Sequence, residues 1–294
     1  MNRVLGDRRA IAVLLGPALL VYTAVMLLPI LWSLGYTFFT GNVLEGYRPN
    51  GFENFRRLAE DPDVHSALWF TVKYAVTITI GQVFFGYLLA LLYVFALRKA
   101  SGLVRTLVFF PVVLPTVAVA QLFQKMFEIA PQNGLVNSAL NGVGIESIDW
   151  FGSGSTAFWV LVIMDIWRSM GFYAVLLYAG LVDIPDEVIE SARLDGAAHW
   201  RLVWHIVLPL SLPVLVSSLI FSINGTLKVF DSVVALTNGG PGNSTTPLTV
   251  YMFRTAFSYG DYGYGAAIAS LLTLMCLVVT LFIFRSARRD PAGA

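Results

Sequence analysis

The chain has 294 residues, of which 57% are hydrophobic and 13% are charged. Counting the 25 glycines as apolar raises the share to about two-thirds, against about 45–50% in a soluble domain. So few polar side chains cannot cover a surface in water, which argues against a soluble globular enzyme, and the composition also excludes a disordered chain, a collagen and a coiled coil. We therefore predict a membrane protein.

Other functional classes are disfavoured by what the chain contains. Cys276 is the single cysteine, which excludes an intrachain disulfide framework and a cysteine-based metal site. Of the three histidines, His65 lies in a separate region and His199 and His205 lie in the connection between the fourth and fifth spans, so we predict no metal site. The net charge of +1 gives no indication of a nucleic-acid partner. No segment resembles a separate soluble domain, and residues 1–294 are predicted to form a single transmembrane domain.

Long stretches that are poor in Asp, Glu, Lys and Arg predict an all-α, polytopic integral membrane protein with six helical spans. A bilayer core of about 30 Å needs about 20 apolar residues at 1.5 Å each. The predicted spans cover about 11–39, 68–97, 106–127, 156–181, 207–234 and 264–284.

The distribution of basic residues predicts the orientation of these spans. Six spans place both termini on one side of the membrane, where eleven lysines and arginines lie, against five on the other side. By the positive-inside tendency, both termini are predicted to be cytoplasmic. The three long connections on the outer side, 40–65, 128–155 and 237–263, contain turn-forming Gly, Pro and Asn and are predicted to be loops.

The connection between the fourth and fifth spans has a different character. Pro185 followed by acidic residues is typical of a helix start, and Gly196 is typical of a helix end. A second short helix is predicted from Ala197. Five acidic side chains between Asp183 and Asp195 would be repelled by anionic lipid head groups. We therefore favour a cytoplasmic protein partner for this segment over an amphipathic loop lying on the membrane.

This segment resembles the EAA loop of membrane subunits of bacterial ABC importers. The matching pattern is Glu190-Ser191-Ala192, three residues, Gly196, nine residues, and Ile206-Val207-Leu208-Pro209. Ser191 departs from the alanine of the family pattern. The wider chain is similar to carbohydrate importer permeases of the maltose and glycerol-phosphate type, on the strength of Gly16-Pro17, 52–55, 227–231 and 236–242.

The resemblance implies the type I ABC importer permease fold in the bacterial cytoplasmic (inner) membrane. It implies ATP-driven uptake of a sugar, either a mono- or oligosaccharide or a polyol, by alternating access. The implied partners are a second homologous permease subunit, two ATPase subunits and an extracytoplasmic solute-binding protein, within the lipid bilayer. Since the chain lacks a G-x-x-x-x-G-K-[ST] motif, ATP and Mg²⁺ are expected on the ATPase, and this chain is expected to bind no cofactor and to catalyse no reaction.

In this family the EAA loop forms a coupling helix that enters a groove on the ATPase. Carried onto this chain, Glu190 is expected to contact the ATPase, and Gly196 to permit the bend between two helices. Ala192 is expected to be small to allow close approach. The full predicted coupling set is Glu190, Ser191, Ala192, Arg193, Asp195, Gly196, Leu208 and Pro209.

Polar residues within spans are costly, so they are the candidates for a substrate path. Asp165 and Arg168 lie three apart on the fourth span, where they form either an internal ion pair or a polar lining of the path. The family places sugar contacts on the span that matches residues 222–230. The predicted path contains Asp165, Arg168, Ser222, Asn224, Thr226 and Phe230, with Gln121 and Tyr173 as weaker candidates. Lys228 and Asp231 are predicted either at an outer gate or, for the lysine, snorkelling to the head groups.

Other functions stay open at this point. An importer of glycerol phosphate or another small polar solute would place extra cations along the path, as Arg168 and Lys228 allow. A secondary transporter driven by an ion gradient would need a membrane carboxylate such as Asp165, but it would leave the acidic cytoplasmic loop without a role. An integral membrane enzyme would need a cluster of His, Asp or Glu at one depth, which the sequence does not present.

Overall fold

A computed structural model describes residues 8–42, 46–97 and 100–287 of the chain. Within these ranges the structure is almost entirely helical, and wider π-type turns connect α1 to α2, connect α10 to α11 and extend α13. The helices are α1 (Arg8–Tyr22), α2 (Leu28–Tyr36), α3 (Glu53–Glu60), α4 (Pro62–Phe95), α5 (Ser101–Val113), α6 (Thr116–Met126), α7 (Leu135–Gly142), α8 (Gly154–Val182), α9 (Asp186–Leu194), α10 (Trp200–Leu202), α11 (Leu208–Thr226), α12 (Asp231–Leu236), α13 (Leu248–Phe253) and α14 (Tyr262–Ala287).

Five helical stretches in the described part of the chain are long and apolar enough to cross a membrane. They confirm the prediction of an all-α polytopic membrane protein. Counting the bent pair formed by α5 and α6 as one broken span raises the number to six. The five continuous stretches are Ile11–Tyr36, Pro62–Phe95, Gly154–Val182, Trp200–Thr226 and Tyr262–Arg285.

The predicted third span, 106–127, is not one straight helix. The helix stops at Val113 and restarts at Thr116, with the two axes bent by 95°. Leu114 is extended, at φ −69° and ψ 140°, because the ring of Pro115 disfavours a helical conformation in the residue before it. A proline within an apolar run therefore interrupts a helix that hydropathy alone predicts to be continuous.

The predicted fifth span, 207–234, also ends earlier than expected. Its helix begins at Trp200 and stops at Thr226, and α12 starts after a short non-helical segment at Asp231. The hydroxyl of Thr249 donates to the carbonyl of Val229, which satisfies a backbone acceptor that the interrupted helix leaves open. Lys228 therefore lies within this break and Asp231 at its end, and neither lies inside a continuous span.

The connections predicted as loops contain ordered structure. The first holds an antiparallel hairpin of β1 (Phe39–Asn42) and β2 (Gly46–Pro49), followed by α3. Asn54 of α3 is buried and donates to the carbonyls of Thr37 and Phe39, both at 2.9 Å. In the second connection, buried Asn137 of α7 likewise bonds residues on both of its sides. Single buried amides thus anchor segments that hydropathy assigns to loops.

The chain divides into two compact units. The first comprises residues up to Val64 together with Tyr251–Leu271, and the second comprises His65–Val250 and the residues from Leu272 onward. Two clusters of buried apolar side chains form the core of the second unit. One cluster is centred on Tyr74, Leu161 and Met164, and the other on Leu177 and Val207.

A polar cluster holds the first unit together. Asp61 accepts hydrogen bonds from the hydroxyls of Tyr251 at 2.8 Å and Tyr264 at 2.6 Å. Beside it, Arg57 pairs with Asp261 at 2.7 Å and stacks over the ring of Tyr264. Partial burial acts to raise the pKa of the Asp61 carboxyl, but the two tyrosine hydroxyls and two backbone N–H groups outweigh it and hold this pKa below its ordinary value.

Candidate functional site

A polar cavity of about 400 Å³ lies in the second unit. Six helices contribute to it, namely α4, α5, α6, α8, α11 and α12, together with the non-helical segment before α12. A polar cavity among apolar helices is unusual, because each polar group there costs free energy unless it is paired or serves a ligand. Its polar and charged lining residues are Tyr74, Gln82, Thr116, Asp165, Arg168, Ser169, Tyr173, Ser222, Thr226, Lys228, Asp231 and Ser232.

Asp165 is a buried carboxylate that neutral donors satisfy from two other helices. The hydroxyl of Tyr74 on α4 donates to Oδ2, and the hydroxyl of Ser232 on α12 donates to Oδ1 at 2.8 Å. Arg168 lies one turn further along α8, with its Nε 3.7 Å from Asp165 Oδ1. Asp165 and Arg168 are therefore close together on α8, as predicted. The carboxylate accepts its hydrogen bonds from hydroxyl groups, however, and not from the arginine.

A row of small polar side chains runs from α11 across α4 to α8. Thr226 Oγ1 lies 3.3 Å from Thr79 Oγ1, and the Ser222 hydroxyl donates to the same Thr79 oxygen at 2.9 Å. The side-chain amide nitrogen of Gln82 donates to the Ser222 hydroxyl, and the Ser169 hydroxyl donates to the side-chain oxygen of Gln82, Oε1, at 2.6 Å. Hydroxyl and amide groups of this kind both donate and accept, so they are able to exchange their bonds for those of a polyhydroxylated ligand.

The structure brings most of the predicted path residues to this cavity. Ser222, Thr226 and Phe230 line it, as do all four charged residues and Tyr173. Two predicted residues lie elsewhere. Gln121 is exposed outside the cavity lining, and the Asn224 amide donates to Thr280 Oγ1 on α14 at 2.9 Å. Helical rotation explains Asn224, since residues two apart on α11 face different directions.

Several cavity residues do not appear among the sequence candidates. Tyr74, Gln82 and Ser169 line the cavity, Ser232 bonds Asp165, and Thr79 bonds Ser222. All five are uncharged and lie outside residues 222–230, so neither a charge within a span nor the family resemblance singles them out. The three-residue spacing of Thr79 and Gln82 on an otherwise apolar helix is a signal that could have indicated a shared polar face.

The predicted coupling segment has the helix–glycine–helix form expected of it. Helix α9 follows Pro185, and Gly196 adopts φ +86°, a left-handed conformation that favours glycine. Ala192 is 8% exposed and packs into the core of the second unit. The small side chain of Ala192 thus allows α9 to pack closely against other helices of the same chain.

The other faces of this segment are open. Glu190, Ser191, Arg193 and Asp195 are exposed, and Leu194 is 89% exposed. A leucine so fully exposed next to charged side chains is a feature that sequence reasoning did not single out. Leu208 and Pro209 begin α11, so the segment continues into the fifth span without a break after Trp200.

The sequence matches a family model and several named relatives. Residues 82–289 match the family described as binding-protein-dependent transport system inner membrane component. The chain is 33% identical to the sulfoquinovosyl glycerol transport system permease protein of Agrobacterium fabrum, over 97% of this chain and 92% of that protein. It is 33% identical to the lactose transport system permease protein of Rhizobium radiobacter, over 92% of each. It is 32% identical to the trehalose/maltose transport system permease protein of Thermococcus litoralis, over 81% of this chain and 79% of that protein.

A solved structure has the same fold. It is a chain of a bacterial ABC transporter involved in the import of the acidic polysaccharide alginate. The two chains superpose with a TM-score of 0.84 at 22% sequence identity, covering 98% of this chain and 99% of the other. The same transporter is also known in complex with an alginate pentasaccharide-bound periplasmic protein, with the same TM-score.

Proposed function

Because the chain belongs to the family of binding-protein-dependent transport system inner membrane components, we propose that it is the permease subunit of an ATP-driven importer that translocates a saccharide. The polar cavity between α4, α8 and α11 carries this proposal, since it offers hydroxyl, amide and aromatic groups among membrane-spanning helices. The names of relatives that transport sulfoquinovosyl glycerol, lactose and trehalose or maltose support a saccharide as the solute.

The path through the subunit uses the row of hydroxyl and amide groups. Thr79, Gln82, Ser222 and Thr226 hydrogen-bond to one another. A sugar hydroxyl replaces these bonds one for one, so the solute enters without leaving an unpaired polar group among apolar helices. Alternating access then requires that the cavity open to each side in turn.

The segment from α9 to Gly196 couples this subunit to a separate ATPase. Its buried Ala192 fixes it to the body of the permease, while Glu190, Arg193 and Leu194 remain open to a partner. A cavity of about 530 Å³ beside α9, lined in part by Glu190, adds a recess into which a partner side chain fits. ATP and Mg²⁺ belong to the ATPase, and this chain supplies the mechanical contact.

The assembly we propose contains this chain, a second homologous permease subunit, two ATPases and an extracytoplasmic binding protein. The alginate transporter complex with its periplasmic protein supports the last of these. The excess of Lys and Arg on the side of the termini supports an orientation in the cytoplasmic membrane with both termini inside.

Two substitutions test the coupling role in the assembled importer. Glu190→Lys reverses an exposed charge, and Gly196→Pro removes the left-handed turn between the helices. We expect sugar uptake to fall by at least about tenfold, a loss of about 1.4 kcal/mol of coupling. Either ATP hydrolysis continues without transport or the ATPase subunits no longer co-purify, while the permease stays in the membrane.

Glu146→Lys serves as the matched control, because it makes the same charge change at an exposed site outside the segment. Normal sugar uptake in both coupling variants would contradict the coupling role proposed for this segment. Uptake that survives deletion of the ATPase but stops with an uncoupler would instead identify a secondary transporter.

A further inference from the structure

The charged groups of the polar cavity differ in how well the protein satisfies them. Both oxygens of Asp165 accept hydrogen bonds from hydroxyl groups of Tyr74 and Ser232. Arg168, by contrast, donates no hydrogen bond to any residue in the described part of the chain, and its Nε is buried without a partner. Leaving a buried N–H of a guanidinium without an acceptor among apolar helices is costly.

The neighbouring carboxylate does not satisfy the N–H donors of Arg168. Its Nε lies 3.7 Å from Asp165 Oδ1, which is an ion-pair distance but too long for a hydrogen bond. Asp165 already has a closer donor on each oxygen. The guanidinium therefore compensates the charge of Asp165 in part, while its donors stay available. Its side chain is 29% exposed and lines the cavity.

A second cation stands at the same cavity. Lys228 lies in the break after α11, is exposed, and has no carboxylate within 4.0 Å among the residues that the structure describes. Arg168 comes from α8 and Lys228 from the segment between α11 and α12. The cavity thus presents two cations from different elements and two carboxylates, of which Asp165 is satisfied by hydroxyl groups and Asp231 is exposed at the start of α12. Its uncharged hydroxyl groups suit a sugar ring.

We infer that the cavity recognises a saccharide that carries an anionic oxygen group, such as a carboxylate, sulfonate or phosphate, and that Arg168 binds this group. The inference rests on the proposed function and names the substrate class of the same site. The planar guanidinium donates two parallel N–H bonds to an oxyanion, a geometry that a neutral hydroxyl cannot match. Gln82, Ser222 and Thr226 bind the hydroxyl groups of the same ligand.

The test uses the assembled importer in lipid nanodiscs with a thiol placed in the cavity. Thr116→Cys supplies the thiol at a lining residue to which no ligand contact is assigned, and Cys276→Ser removes the single native one. The rate of modification by N-ethylmaleimide, a neutral reagent, is measured against increasing glucose, glucuronate or glucose 6-phosphate. We expect both acids to protect the thiol at about tenfold lower concentration than glucose, the worth of about one charge-assisted hydrogen bond.

Variants of Arg168 separate the anion site from the sugar site. Arg168→Met is expected to bring the protecting concentrations of the acids to within about twofold of that of glucose. Arg168→Lys keeps the positive charge but loses the pair of parallel N–H donors, so it is expected to retain part of the preference for the acids. Arg56→Met, at an exposed arginine paired with Glu53 outside the cavity, is the matched control and leaves the preference unchanged. If Arg168→Met does not assemble, the Arg168→Lys variant and the unaltered chain still decide the question.

The outcomes distinguish this inference from the proposed function. Equal protection by glucose and the acids overturns the anion site and leaves the saccharide path standing. A preference for acids that persists in Arg168→Met also overturns the role of Arg168. Loss of the second permease subunit from the Arg168→Met importer would show that Arg168 binds that subunit instead. Failure of every saccharide to protect the thiol overturns the anion site and the proposed path together.

Discussion

At the scale of single residues, Asp61 shows how an ionised carboxylate organises its surroundings. Two tyrosine hydroxyls converge on its Oδ2, and the backbone N–H of Asp63 donates to its Oδ1 at 2.9 Å, which caps the start of α4. Hydrogen bonds of this kind favour the charged form, and they also raise the pKa of the Tyr251 hydroxyl, whose proton they hold, in addition to the effect of its burial.

The lowered pKa of Asp61 makes a prediction about pH. A carboxyl whose folded pKa is depressed stabilises the fold above its unfolded pKa of 3.8, and this contribution is lost as pH falls below that value through the folded pKa. Asp61→Asn keeps a capping side chain but removes the charge. We expect a lower thermal unfolding temperature for Asp61→Asn than for the unaltered protein at neutral pH, and a difference that shrinks as pH falls below 3.8.

The measurement is thermal unfolding of the purified permease in detergent across this range of pH. Glu60→Gln, at the exposed neighbouring acid, is the control and is expected to show no pH-dependent difference. A deficit for Asp61→Asn that is the same at every pH would contradict the assignment, because it would show that shape and not charge matters at this site.

At the scale of elements, glycines set how closely α8 approaches its neighbours. A Cβ atom on Gly171 would lie 2.2 Å from the carbonyl oxygen of Val108 on α5, and one on Gly86 of α4 would lie 2.7 Å from Cβ of Tyr173 on α8. Backbone atoms cannot move aside as a flexible side chain does. These contacts place α8, which carries Asp165 and Arg168, in close contact with α4 and α5, and they depend on the absence of a side chain.

Gly171→Ala is therefore expected to destabilise the permease. Overpacking of this kind costs about 1–3 kcal/mol, and we expect a lower unfolding temperature and a smaller yield of folded protein in the membrane. Gly102→Ala on α5 is the matched control, because a Cβ there meets no atom within 4 Å. Equal stability of the two variants would show that α5 and α8 readily move apart.

The same scale shows where prediction from sequence succeeds and fails. The apolar runs predict the long helices α4, α8 and α14, because their length and hydropathy suffice. The interruption at Pro115 is indicated locally by the proline itself, but a hydropathy average over a window of residues does not show it. The end of α11 at Thr226 carries a weaker signal, since the hydroxyl of Thr249, which completes the break, lies more than twenty residues away.

At the scale of the whole molecule, the bias of Lys and Arg predicts the orientation of the spans in the membrane. We expect Glu146→Cys, in the connection after α7, to react with a membrane-impermeant thiol reagent from outside the cell. Glu187→Cys on α9 is expected to react only after the membrane is opened. Both positions are exposed, and Cys276→Ser provides a background free of other thiols. Labelling of both sites from the same side would contradict the six-span topology, and a reversed pattern would contradict the orientation.

The amino-acid sequence alone predicts the membrane class, the helical fold and the helix–glycine–helix form of the segment proposed for coupling. These follow from local features, namely apolar length, helix caps and the spacing from Glu190 through Gly196 to Pro209. Which polar residues share the cavity depends on the packing of the helices. Tyr74, Asp165 and Ser232 lie far apart in the chain, and their hydrogen bonds depend on how helices rotate and pack. Periodicity gives the faces of one helix, but it does not say which faces of different helices meet, and so it could not show that Asp165 is satisfied while Arg168 is not.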